Sequence, residues 1–119
     1  MPAKIDRFVP GISLVYFDLK LSYMQFLLLA YDGTDPEALQ RRLKVRDEHL
    51  RRISGLKKDG GFLFGGAILD EQGKMTGSMI VYDFPDRETL DEMLKSEPYL
   101  TDGVWKKIEI KSFRLAKIG

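Results

Sequence analysis

A single α+β domain with the element order βαββαβ is predicted by three observations. Four apolar runs of strand length lie at residues 25–31, 62–69, 75–84 and 104–115. Two longer stretches between them, one on each side of the central pair of runs, carry helix start and stop signals. Turn residues, chiefly Asp and Gly, separate the runs. With 119 residues the chain has room for one core.

The first run, QFLLLAY, is apolar at almost every position, the pattern of a strand covered on both faces. Asp32-Gly33 turns the chain, and Thr34-Asp35-Pro36-Glu37 reads as a helix start: a Thr or Asp cap, Pro in the first turn, and Glu three residues after Thr. This helix is expected to run to about Lys58, where Asp59-Gly60-Gly61 stops it. The second and third strands are joined by DEQGK, a hairpin loop with glycine where positive φ is easiest. Pro85-Asp86 opens a second helix with Leu90, Met93 and Leu94 on one face, and Glu97-Pro98 closes it. In the last strand Ile108 and Ile110 face away from Lys107, Glu109 and Lys111.

This order is the ferredoxin-like plan, with both helices on one side of a four-stranded antiparallel sheet. Because alternate residues of the first strand are apolar on both faces, the other side of the sheet also calls for cover. Sheet-on-sheet homodimerisation would supply it. Residues 1–23 read as an extension (an extra edge strand, a dimer arm or a disordered segment) preceding a domain at 24–119.

Composition narrows the function classes. Nineteen Lys and Arg against eighteen Asp and Glu leave no global field to draw in nucleic acid or anionic lipid. The basic residues between Arg41 and Arg52 are interrupted by Asp47 and Glu48, as on a solvated helix face. No cysteine is present, so disulfides, thiolate metal sites and a Cys nucleophile are out, in keeping with a cytoplasmic location. No apolar stretch approaches the roughly 20 residues that span a bilayer. Pro10, Gly11 and Asp18 interrupt the N-terminal apolar patch, which argues against a signal peptide. One histidine with scattered carboxylates makes a poor transition-metal site. There is no Walker motif and no serine elbow, so no cofactor and no metal are expected.

The first helix holds the anomaly. Its expected apolar stripe is Leu39, Leu43, Leu50 and Ile53, with Arg46 in the middle and Arg42 and His49 on the flank. Two readings compete. Either Arg46 snorkels along the sheet edge and His49 is a satisfied, half-buried residue, or they line a polar pocket between helix and sheet. Trp105 and Tyr99 would wall such a pocket, or belong to the core or an interface.

The segment RRLKVRDEHLRRI (41–53) resembles the first-helix motif of the YciI-like family, in which an Arg precedes a His by three residues and a Leu follows it. Phe64-Gly65-Gly66-Ala67, Thr76-Gly77-Ser78 and SEPYLTDGVWKKIEIKSF (96–113) fit the same family in the same order. The resemblance implies a dimeric α+β barrel with a His and an acidic residue as its active site, hence His49 and, before Pro98-Tyr99, Glu97 where the family more often has Asp. Read on its own, Glu97 simply closes the second helix.

Imidazole titrates near about 6.5 in isolation, so a histidine can take and return a proton near neutral pH, and a carboxylate can fix its tautomer. Arg46 would hold an enolate, phenolate or carboxylate oxygen. Ser78, with amides beside Gly65, Gly66 and Gly77, would add hydrogen bonds, although those glycines equally suit close strand packing. The expected function is cofactor-independent proton transfer, of isomerase or lyase (dehydrohalogenase) type, on a small cyclic or aromatic molecule. The alternatives are a ligand-binding or accessory domain without catalysis and, further off, a cofactor-free oxygenase.

Overall fold

The computed structural model describes residues 24–118, so the expectations for the N-terminal extension lie outside the described residues. The elements are β1 (Met24–Asp32), α1 (Ala38–Asp59), β2 (Phe62–Leu69), β3 (Met75–Phe84), α2 (Arg87–Leu94), α3 (Pro98–Thr101) and β4 (Trp105–Phe113). The strands form one antiparallel sheet in the order β2-β3-β1-β4, which is the ferredoxin-like α+β arrangement.

Register decides what each face carries, since paired residues share a face. Ala30 lies opposite Ser78, Leu28 opposite Ile80 and Phe26 opposite Tyr82 on β3, while Ile108 and Ile110 of β4 flank Ala30 and Leu28. On this face Phe26, Leu28, Ile80 and Tyr82 meet Val45 and Ile53 of α1 and Leu90 and Leu94 of α2 in one core, so both helices cover the same side. Leu28 and Leu90 are fully buried, each contributing about 1.5–3 kcal/mol relative to exposure. The other face carries Leu27, Leu29 and Tyr31 of β1 with no helix over it among the described residues, and Tyr31 and Phe64 are each about two-fifths exposed (39% and 41%).

Two glycines are set by close approach. A Cβ on Gly65 would run into the Met79 carbonyl oxygen, and one on Gly77 into that of Ala30. The strands could not keep their spacing with any larger residue there.

The first helix departs from expectation at its start. It begins at Ala38, and Glu37 holds the cap position without a side-chain cap bond. The Asp35 carboxylate is instead engaged with Arg41, at 2.7 and 3.2 Å. The other end is closed as expected, by Gly60 in the left-handed region (φ 87°), its N–H donating to the Leu56 and Lys57 carbonyls. Asp86 caps α2, its carboxylate accepting from the Thr89 N–H at 2.7 Å. The short α3, between the second helix and the last strand, is an element the sequence pattern does not announce.

Candidate active site

The stripe that α1 turns inward is Ala38, Arg42, Val45, His49 and Ile53. This corrects the expected one: Leu43 and Leu50 are 44% and 43% exposed, and Arg42, not Arg46, is the arginine at its centre. Arg42 and His49 are seven residues apart, two turns of helix, and therefore lie on one line.

A buried arginine needs partners, and Arg42 has them. It donates through Nη1 to both oxygens of Asp32 at 3.0 Å and through Nη2 to Ser78 Oγ at 2.9 Å. Trp105 Nε1 also donates to Ser78 Oγ, at 3.2 Å. Both lone pairs of that hydroxyl are thus occupied, and Ser78 retains only its proton to donate. Asp32 sits opposite Trp105 where β1 and β4 slip register. Burial pushes its carboxyl above the ordinary range while the Arg42 guanidinium pulls it back.

Seven residues on, His49 Nδ1 lies 2.7 Å from Glu97 Oε2. Glu97 is fully buried. It is also the N-cap of α3, its Oε2 accepting the Tyr99 N–H at 2.9 Å. An ionised carboxylate has only lone pairs, so against one Nδ1 is the donor and, in a neutral ring, Nε2 is the bare nitrogen. Nε2 has no hydrogen bond among the described residues, in a side chain that is 8% exposed.

Tyr99 joins the two groups. The His49 ring stacks on it at 3.9 Å between centroids, and the Arg42 guanidinium lies 4.6 Å from the same centroid. A face already covered by imidazole has no room for a guanidinium, so the two occupy opposite faces of the phenol. Trp105 closes the edge, 5.6 Å from Tyr99 and 6.2 Å from His49. Burial pushes the Tyr99 phenol up, with Arg42 and Arg46 opposing.

Four side chains were singled out from sequence. His49 and Glu97 are brought into direct contact, Ser78 lies in the adjoining Arg42 network, and Arg46 is half-buried within electrostatic reach of Tyr99 but makes no hydrogen bond among the described residues. Asp32 looked like a turn residue and Arg42 like a flanking one. The signal that would have found Arg42 is its seven-residue spacing from the only histidine. No three His, Cys, Asp or Glu side chains gather as a metal site among the described residues.

The family model for the YCII-related domain matches residues 24–114. The chain belongs to that family. An uncharacterised Haemophilus influenzae protein is 30% identical over 97 residues, covering 76% of this chain and 97% of its own length. Protein YciI of Escherichia coli is 29% identical over the same span and coverage. Among solved structures, the 5-chloro-2-hydroxyhydroquinone dehydrochlorinase of Burkholderia phenoliruptrix, in complex with 2,5-dihydroxybenzoquinone, is similar with a TM-score of 0.67 at 21% identity, over 78% of this chain and 96% of that one. At that identity the likeness is one of fold, and the fold is one that a small-molecule enzyme uses. No helix among the described residues is long and apolar enough to cross a membrane.

Proposed function

We propose that the chain is a cofactor-independent enzyme of proton transfer acting, in the cytoplasm, on a small oxygenated ring. The observation that carries the proposal is the 2.7 Å contact between His49 Nδ1 and the buried Glu97 carboxylate. A carboxylate on one ring nitrogen leaves the other as a directed base and stabilises the imidazolium that forms. His49 Nε2 takes a proton from a C–H or O–H group, and Glu97 holds the ring in place. Arg46 stabilises the oxyanion that develops, and the Ser78 proton is available to an oxygen of the ligand. In an isomerisation the proton returns at another atom. In an elimination the electrons of the broken bond form a new double bond and a leaving group such as halide departs with its pair. The dehydrochlorinase of the same fold, bound to a dihydroxybenzoquinone, supports flat, hydroxylated rings as the first substrates to try.

The same proposal includes a homodimer. Leu27, Leu29, Tyr31 and Phe64 lie on the sheet face opposite the helices, and face-to-face pairing of two sheets would bury them. Light scattering at micromolar concentration should give a dimer. A monodisperse monomer would refute this part.

A thermal-shift screen of small phenolics, hydroxyquinones and lactones tests the function, since a ligand raises apparent stability. Any hit is then assayed for turnover. His49→Ala should abolish turnover and leave the fold intact. Binding without turnover in the wild-type protein would favour a ligand-binding domain instead.

A further inference from the structure

Four buried side-chain polar atoms have no hydrogen-bond partner among the described residues: Arg42 Nε, in the Asp32–Ser78 network, and then Glu97 Oε1, the Tyr82 hydroxyl and Arg52 Nε. Unpaired buried polar groups are costly, on the order of 1–3 kcal/mol each, and the last three belong to neighbouring side chains. Arg52 stands one helical turn beyond His49 on α1, and its Nη2 donates to Ser96 Oγ at 2.6 Å and to the Met93 carbonyl at 2.9 Å, so its head is fixed at Ser96, the residue before Glu97. Tyr82 is fully buried on the helix-covered face of β3. Its phenol feels the charges of both Glu97 and Arg52 while bonding to neither.

We propose that Glu97 Oε1, the Tyr82 hydroxyl and Arg52 Nε together hold one internal water, and that this makes Arg52 and Tyr82 positioning residues for the His49–Glu97 dyad. Three of the water's four hydrogen-bonding positions are then used. Arg52 Nε–H and the Tyr82 O–H both donate to the water oxygen, and the water donates one proton to Glu97 Oε1. Three protein partners are what a buried water usually has. The carboxylate is then held at both ends, Oε2 by His49 and the Tyr99 amide, Oε1 by the water. The positive charge of Arg52 stands behind it. A carboxylate held this way keeps an oxygen set against Nδ1–H, and the imidazole keeps one tautomer. This inference rests on the dyad reading of the site, but its test needs no substrate.

A high-resolution crystal structure of the full chain should show one ordered water within about 2.7–3.2 Å of all three atoms. A dry site, or direct bonds among the three side chains, overturns the proposal. Because His49 is the only histidine, its nitrogen-15 signals are unambiguous. The wild-type protein should read as a single tautomer protonated at Nδ1. In both Arg52→Gln and Tyr82→Phe those signals should move toward an exchanging mixture, a change that loss of packing alone would not produce. An unchanged tautomer in both variants overturns the proposal and leaves the dyad standing. A wild-type spectrum showing the opposite tautomer overturns the dyad and this inference with it.

Discussion

The His49 imidazole lies flat on the Tyr99 ring, 14° from parallel. Stacking fixes the ring plane and the Glu97 bond fixes rotation within that plane, so together they aim Nε2. Neither could do so alone, because a single hydrogen bond leaves the ring free to swing about it.

Tyr99→Phe should therefore retain His49 orientation and most stability, since the hydroxyl makes no hydrogen bond among the described residues. Tyr99→Ala should lose about 3–5 kcal/mol, the usual range for a buried aromatic. Chemical denaturation measures both. Equal losses in the two variants would mean that the hydroxyl, not the stack, carries the effect.

Glu97→Asp tests reach. The shorter chain withdraws the carboxylate by about 1.5 Å, one carbon–carbon bond, so it cannot cap α3 and meet His49 at once without backbone movement. We expect a loss of about 1–2 kcal/mol, the size of a lost cap or hydrogen bond, and lower kcat on any substrate found. Glu97→Gln keeps length but not charge and should lower kcat with little change in KM. Wild-type kcat in Glu97→Asp would show that the backbone adapts.

The Arg42–Asp32 pair is buried at both ends, with side chains 3% and 2% exposed. Removing one partner strands a charge, so Arg42→Met and Asp32→Ala should each cost about 3–5 kcal/mol, while the double variant should cost clearly less than their sum. Strict additivity in the double-mutant cycle would show that the two charges are not coupled.

Titration should act at both ends of the pH scale. Burial holds the Tyr82 and Tyr99 phenols above their ordinary 10.0. Above pH 10 the unfolded chain loses protons that the folded chain keeps, so their contribution, fully present below 10, falls as pH rises. Their ultraviolet ionisation signal should appear only with unfolding. Asp86 has the opposite sign. The Thr89 N–H and hydroxyl hold its carboxyl below 3.8, so the cap's contribution is present above that value and lost as pH falls. Asp86→Asn should flatten the acid limb of the stability profile.

Strand positions were legible because period and turn chemistry agree there. Residues 62–69 and 75–84 are strands with those bounds, fixed by Asp59-Gly60-Gly61 before one and DEQGK between them. The inward face of α1 was not legible in the same way. A hydrophobic stripe search places Leu43 and Leu50 inside, whereas the helix turns in Arg42 and His49, whose partners come from β1 and from the turn before α3. Nothing local to α1 says that Asp32 and Glu97 will arrive. Nor does a four-residue helix leave a periodic trace, so Glu97 looked like the end of one helix when it is the beginning of the next. The dyad contact spans 48 positions, and only the resemblance to related chains pointed across that distance.

Because one oxygen of Glu97 serves both the α3 cap and His49, spacing in the loop from Leu94 to Pro98 is under mechanical constraint. Lengthening that loop by one residue would move the carboxylate along the chain while α1, anchored through Arg42 and Val45, stayed where it is. The turn would have to choose between closing its helix and reaching the histidine. A short connection between two helices, of the kind that usually tolerates insertions, here acts as a ruler.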